Sequence, residues 1–173
     1  IPEQRILELE EPFDGTSMDW LGSQKNRKNS GAGIKIAVLD TGIDSRHESL
    51  RGLNFSEISL VEEEKQFGRG HGTGIASIIA GQMEGFLGLA PSSEILSVRV
   101  LGQDGEGDAF TIAKGIMMAV DQGADIINLS LGGTSSSVAI DHAIGYASAN
   151  EVLLVSAVGN EGVNQVAYPA RHN

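Results

Sequence analysis

Short apolar runs alternate with segments of helical spacing along most of this chain, and this alternation constrains the fold more than any other feature. We expect strands at residues 34–39, 95–101, 125–130 and 152–158, the last of them buried. We expect helices at residues 71–81, 108–123 and 135–150, where apolar residues recur every three or four positions. Strand, helix and strand in succession favour right-handed crossovers and a parallel sheet. The sequence therefore predicts a three-layer α/β/α fold with a mostly parallel sheet.

Outside this alternation the chain has two polar stretches. Residues 1–33 are irregular, with a short helical candidate at residues 17–25. Residues 45–70 are charged, and we expect them to form loops. With 173 residues the chain is expected to be a single domain over residues 1–173, of which residues 1–17 are an N-terminal extension.

Composition excludes several classes of function. The net charge of -11 argues against nucleic acid as a partner, because phosphate contacts need Lys and Arg. No apolar run is long enough for a membrane span. The absence of cysteine excludes a thiol nucleophile and a Cys-ligated metal. The first residues have neither the basic start nor the apolar stretch of a secretory signal, but a first residue other than Met suggests a processed or trimmed chain. Both an extracellular location after processing and a cytoplasmic one stay open.

The first chemical motif is an aspartate that ends the strand 34–39. Asp40 is followed by Thr41 and Gly42, and a second acid, Asp44, comes shortly after. A carboxylate at a strand end can be a simple loop cap. Asp-Thr-Gly also occurs in aspartic proteases, where two such aspartates share a proton, so a homodimer of this chain could supply the second copy.

The second motif is His71, which has glycines on both sides and opens a predicted helix. A histidine at such an open corner can act as a general base if a carboxylate fixes its tautomer, and Asp40 is the candidate for that carboxylate. Two further strands lead into glycine, at residues 128–133 and 156–162. An amide side chain after such a strand, such as that of Asn160, can donate a hydrogen bond to a developing oxyanion.

Together these segments resemble the subtilisin family of serine proteases. The resemblance covers roughly residues 18–173. It rests on four motifs that stand in the order of the family: Asp40-Thr41-Gly42-Ile43-Asp44, His71-Gly72-Thr73 with Ala76, Ser130-Leu131-Gly132-Gly133, and Ala157-Val158-Gly159-Asn160.

The resemblance implies a serine endopeptidase that binds a peptide or protein substrate in an extended conformation. By resemblance Asp40 orients His71, His71 is the general base, and Asn160 donates to the oxyanion. Gly105-Glu106-Gly107 and Ser130-Leu131-Gly132, with Gly159, are then the substrate-binding segments. The acids Glu106, Asp108 and Glu161 along these segments predict a mild preference for Lys or Arg in the substrate.

The resemblance stops at the nucleophile. The family order is Asp, His, Ser, and the serine is expected several tens of residues after Asn160, in a Gly-Thr-Ser-Met-Ala-x-Pro segment. We therefore expect a domain that is truncated or split at its C-terminus, with the serine on a missing segment or on a complementary second chain. Gly15-Thr16-Ser17-Met18 matches the start of that segment, but Thr16 and Asp19 form a better capping box. The alternative is a non-catalytic pseudoprotease that binds peptides or regulates another protein.

No cofactor is expected. Many subtilisins hold a calcium ion with an acid after the Asp strand, and in this chain the corresponding position is Ser49. The loop at residues 82–86 is also short, and the six to eight oxygens that calcium prefers cannot be assembled from this stretch.

Overall fold

The computed structural model describes residues 29–62, 69–159 and 166–172. In chain order its elements are β1 (Lys35–Asp40), a 3₁₀ helix (Glu48–Leu50), β2 (Phe55–Ser59), α1 (Gly70–Ala80), β3 (Gln82–Met83), β4 (Phe86–Leu87), β5 (Glu94–Arg99), α2 (Ala109–Asp121), β6 (Ile126–Leu129), α3 (Val138–Ala149) and β7 (Leu153–Ser156).

The main sheet has five parallel strands in the order β2-β5-β1-β6-β7. Strand β1 lies in the middle, with Asp40 opposite Arg99 of β5 and Leu39 opposite Leu129 of β6. Strands β3 and β4 form a separate antiparallel pair. The predicted mostly parallel sheet is confirmed.

Apolar side chains of β1 alternate between two cores, one on each face of the sheet. Val38 packs with Ala76 and Ala80 of α1. Leu39 packs with Ile116 of α2 and Ala143 of α3. One helix on one face and two on the other make the three layers that the sequence predicted, because each β-strand residue points to the face opposite its neighbour's.

Strand β2 corrects the prediction that residues 45–70 form loops. It carries only two apolar side chains, Phe55 and Ile58, and both are half-buried. Ser56, Glu57 and Ser59 are exposed because β2 lies at an edge of the sheet. Its hydrogen bonds to β5 define it, and a polar edge strand of this kind has no strong local signature.

Strand β7 corrects the expectation that residues 152–158 are buried. The strand covers Leu153–Ser156, and its partner within the described residues is β6 alone. Leu153 is 58 % exposed and Val155 is 48 % exposed. An apolar run indicates that burial of its side chains is favourable. Whether they are buried depends on another part of the protein packing against them.

The remaining predicted elements agree with the structure to within a few residues at each end. The short helical candidate at residues 17–25 lies outside the described residues. Among the described helices, none combines the length and the apolar character that crossing a bilayer requires.

Candidate active site

Asp40 and His71 lie in direct contact at the carboxyl end of β1. The Nδ1 atom of His71 is 2.8 Å from Oδ2 and 2.9 Å from Oδ1 of Asp40. The Asp40 side chain is fully buried, whereas that of His71 is 57 % exposed. A buried carboxylate is costly unless it accepts hydrogen bonds, and Oδ1 also accepts from the backbone N–H (2.7 Å) and the hydroxyl (3.1 Å) of Thr41. Asp40 thus holds Nδ1 as the protonated nitrogen of the ring and leaves Nε2 free to accept a proton.

Glycines allow the loop after β1 to approach the start of α1. A Cβ atom at Gly72 would lie 2.4 Å from the carbonyl oxygen of Gly42 and 3.2 Å from Cβ of Asp40. Gly42 itself has φ of +90°, a conformation that side chains other than glycine rarely adopt. The contact between Asp40 and His71 therefore requires glycine at both positions.

Hydrogen bonds fix the same two segments to each other. The N–H of Gly72 donates to Oγ1 of Thr41 (3.3 Å), and the N–H of Asp44 donates to Oγ1 of Thr73 (2.9 Å). The Thr73 hydroxyl in turn donates to the carbonyl of Arg69 at 2.6 Å. Both threonines of the two motifs are thus used to align the aspartate loop with the histidine helix.

A groove of about 820 Å³ opens beside His71. It is lined by the two segments that the sequence proposed for substrate binding, 105–107 and 130–132, and also by the apolar residues Leu101, Ile112 and Ile140. The structure thus brings Gly105, Glu106, Gly107, Ser130, Leu131 and Gly132 together with His71. Their contact with a substrate stays a prediction.

The oxyanion segment is described only in part. Asn160 and Glu161 lie outside the described residues. Gly159 is described, with φ of +94°. A Cβ atom at Gly159 would lie 3.1 Å from Cβ of Ala167, and one at Gly132 would lie 2.8 Å from the same atom. Ala167 therefore packs between the second substrate-binding segment and the residue that precedes Asn160.

Tyr168 is a groove residue that the sequence analysis missed. It pairs with Gly133 through two backbone hydrogen bonds of 2.8 Å, and it is 5 % exposed. Its hydroxyl donates to Asp141 of α3. Burial, followed by this hydrogen bond, raises the pKa of Tyr168 to about 12, so the phenol stays protonated at physiological pH. No local pattern marks this contact, because the pairing joins segments that are 35 residues apart (168 − 133).

The acids proposed for substrate preference differ in their surroundings. The Asp108 carboxylate caps α2 and accepts hydrogen bonds from the N–H groups of Phe110 and Thr111 at 2.9 Å. The hydrogen bond from the Thr111 hydroxyl is the main reason why the pKa of Asp108 is lowered. Glu106 is exposed and lines the groove. Of the described acids proposed for substrate preference, Glu106 is therefore the better candidate.

The position that corresponds to the family's calcium ligand does not fit a calcium ion. Ser49 is 3 % exposed, and its hydroxyl lies 2.8 Å from Nδ1 of His47 and 2.7 Å from Oγ of Ser77. Within the described part of the chain, no group of three or more His, Asp or Glu residues is arranged to hold a metal. Calcium prefers six to eight oxygen ligands, carboxylates above all, and this site offers hydroxyls that already bond to each other.

Nucleophilic hydrolases activate a serine with a histidine whose other ring nitrogen is held by a carboxylate. Asp40 and His71 have this geometry, and they lie where ligands of parallel sheets bind, at the carboxyl ends of the strands. The described fold and site thus have the His–carboxylate arrangement of this class. They do not support an aspartic protease, because both oxygens of Asp40 face His71.

Comparison with known proteins gives the family. The sequence profile of the subtilase family matches residues 31–173, and the chain belongs to this family. It is 43 % identical to subtilisin BL of Lederbergia lenta over 149 residues, which are 85 % of this chain and 55 % of that protein. It is 40 % identical to thermitase of Thermoactinomyces vulgaris over 148 residues, which are 83 % of this chain and 53 % of thermitase.

Solved structures agree with this assignment. The self-cleaved protease domain of PatA superposes with a TM-score of 0.72 at 33 % identity, covering 82 % of this chain and 55 % of that one. The prenylagaramide maturation protease PagA gives a TM-score of 0.70 at 32 % identity, covering 79 % and 50 %. The chain therefore spans about half the length of the relatives that it matches.

Proposed function

We propose that this chain is the larger part of a subtilisin-type serine endopeptidase whose serine comes from residues outside the 173-residue sequence. The observation that carries the proposal is the contact between buried Asp40 and half-exposed His71 at the edge of a groove. Family membership supports it, because the named relatives are subtilisin-like proteases.

His71, Asp40 and Asn160 then each have a defined part in peptide hydrolysis. Nε2 of His71 takes the proton of the serine hydroxyl as its oxygen attacks the peptide carbonyl, and later gives it to the leaving amine. Asp40 stabilises the imidazolium that forms between these steps. The amide of Asn160 donates to the negative oxygen of the tetrahedral intermediate, and removing such a donor costs about 2.7–4 kcal/mol in the transition state.

The substrate binds as an extended strand between residues 105–107 and 130–132. Main-chain hydrogen bonds to such a strand give affinity for any sequence, and side-chain pockets give selectivity. Leu101, Ile112 and Ile140 give this groove apolar lining. The enzyme is thus expected to cleave unfolded or extended segments of proteins.

The test is to express this chain together with the coding sequence that follows residue 173. Hydrolysis of an unfolded protein, abolished by a fluorophosphonate, supports the proposal. A following sequence with no Gly-Thr-Ser-Met-Ala-type segment, together with no hydrolysis, contradicts it.

A non-catalytic peptide-binding protein is the second candidate. It is favoured by one observation: among the described residues, no serine hydroxyl makes a hydrogen bond to the ring of His71. Such a protein keeps the groove and loses the chemistry. Binding of extended peptides without cleavage by the extended chain would favour it.

We further propose that a segment of the same domain covers the outer face of β7. Leu153 and Val155 point to the same face of the strand and are 58 % and 48 % exposed. Exposed apolar edge strands promote association. The relatives are about twice as long as the matched region, so they have further residues of the domain that could form this cover.

We expect the 173-residue chain to self-associate through β7. Replacing Leu153 and Val155 by Lys should shift it toward the monomer in light scattering, because charge opposes edge-to-edge pairing. Phe110→Lys is the control, since Phe110 is 72 % exposed on α2 and is not part of a strand edge. A wild-type chain that is a monodisperse monomer with a sharp, cooperative melting transition would contradict the expectation.

The acidic groove rim predicts a mild preference for basic substrates in the completed enzyme. Glu106→Gln should lower the ratio of kcat/KM for Lys over Leu substrates by about two- to fivefold at low salt, the size expected of an exposed charge pair. Glu84→Gln is the control, because Glu84 is exposed in the turn between β3 and β4. An unchanged ratio in Glu106→Gln at both low and high salt would mean that specificity lies elsewhere, and Glu161→Gln should then be compared in the same assay.

A further inference from the structure

We propose that Glu57 is a positioning residue for His71 and acts through Arg69; this proposal rests on the function proposed above. Glu57 lies on β2, the edge strand that the sequence analysis did not predict. Glu57 does not line the groove beside His71.

Arg69 directly precedes Gly70 and His71, and its side chain contacts the loop that follows Asp40. Its Nη1 atom donates to the carbonyl oxygen of Ile43 at 3.0 Å. The same atom lies 2.9 Å from Oε1 and 3.1 Å from Oε2 of Glu57. Glu57 therefore holds the Arg69 guanidinium in position to link the loop after Asp40 with the start of the helix that carries His71.

The start of α1 depends on this contact. Arg69 is the N-cap residue of the helix, and no side chain caps the helix there. The positive end of a helix dipole disfavours a cation at the N-terminus, and a carboxylate beside that cation offsets the repulsion. His71 is the second residue of α1, so a change in the first turn moves its ring relative to Asp40.

A second cation lies under the aspartate loop. Arg99 is 2 % exposed, and its Nε atom has no hydrogen-bond partner among the described residues. A Cβ atom at Gly42 would lie 3.1 Å from Cδ of Arg99 and 3.4 Å from Oε1 of Glu57. Without Glu57, Arg69 and Arg99 would lose a neighbouring negative charge. We expect them then to attract the Asp40 carboxylate more strongly, in competition with His71.

The chain offers a matched control for Glu57. Glu94 forms an ion pair with Lys35 at 3.0 Å, and the two side chains are 34 % and 26 % exposed. The Glu57–Arg69 pair has comparable values of 27 % and 23 %. Lys35 begins β1 and Asp40 ends it, so the control pair is anchored at the end of the strand away from Asp40, roughly 16 Å along it at the usual rise per residue.

The tautomer of His71 is the readout, because a loss of stability alone does not change it. ¹⁵N NMR at alkaline pH gives the ratio of the Nδ1–H to the Nε2–H form in the neutral ring. We expect Glu57→Gln to lower this ratio by about two- to fivefold, the size of a partly exposed ion pair. Glu94→Gln should leave it unchanged, and Asp40→Asn should abolish the excess of the Nδ1–H form.

Melting of each variant separates positioning from stability. If the Gln variants at positions 57 and 94 melt alike and the His71 ratio changes in neither, Glu57 is merely structural and the proposal is wrong. If Glu57→Gln does not fold, Arg69→Lys keeps the positive charge but loses the fork of donors, and the same fall in the ratio is expected; an unchanged ratio overturns the proposal.

Turnover distinguishes this proposal from the proposed function. In the completed enzyme Glu57→Gln should lower kcat by a similar factor and leave KM unchanged, because Glu57 does not line the groove. A completed wild-type enzyme that hydrolyses no peptide refutes the proposed function, whereas the tautomer result on the 173-residue chain stands.

Discussion

The 173-residue chain alone is expected to remain unlabelled by a fluorophosphonate probe that labels the completed enzyme. The probe reacts with a serine only when a general base activates its hydroxyl, and no described serine bonds to His71. Loss of the nucleophile of a triad lowers kcat by about 10⁶-fold. The measurement is fluorescence of the labelled protein after electrophoresis, with peptide hydrolysis measured in parallel.

Ser17 is the control for this prediction, because Gly15-Thr16-Ser17-Met18 matches the start of the family's serine segment. Ser17→Ala should change nothing in either protein. Labelling of the isolated chain that disappears in Ser17→Ala would show that Ser17 is a nucleophile and that residues 15–18 are not a capping box. Residues 15–18 lie outside the described residues.

Asp40→Asn in the completed enzyme is expected to lower kcat by about 10⁴-fold with little change in KM. The amide of asparagine donates a hydrogen bond to Nδ1 of His71 where Asp40 accepts one, and the proton of the neutral ring then lies on Nε2. A ring with Nε2 protonated cannot accept the serine proton. KM changes little because Asp40 is fully buried beneath His71 and does not line the groove.

Asp44→Asn is the matched control, since Asp44 belongs to the same motif. Its carboxylate bonds to exposed Arg46, and this side-chain hydrogen bond is the main reason that the pKa of Asp44 is lowered. The Asp44 side chain is 40 % exposed, so its loss should change kcat by less than about fivefold. Equal losses in the two variants would show that the motif as a whole, and not the contact with His71, supports activity.

Local sequence patterns determined the centre of the sheet. Strands β1, β5 and β6 are short, mostly apolar and largely buried, and the helices between them show helical spacing, so these local patterns were enough to place them. The motifs at Asp40 and His71 were also readable, because a strand that ends in Asp and a helix that opens in Gly-His-Gly place both residues at one edge of a parallel sheet. The structure confirms the fold that these patterns predicted.

Long-range packing decided what the patterns could not. Strand β2 is polar, and its hydrogen bonds to β5 make it a strand. The wall at Tyr168 comes from pairing with Gly133, and the contact between Glu57 and Arg69 joins an edge strand to the first turn of α1.

The two ends of the sheet show the physical reason for this division. In β1 each apolar residue finds a core on its own face, so local periodicity and tertiary packing agree. In β7 the same kind of sequence leaves Leu153 and Val155 exposed within the described structure, because burial needs a partner layer as well as an apolar side chain. The sequence by itself determined which residues favour burial and which carry chemistry, and only the tertiary structure decided which of them are covered and which are brought into contact.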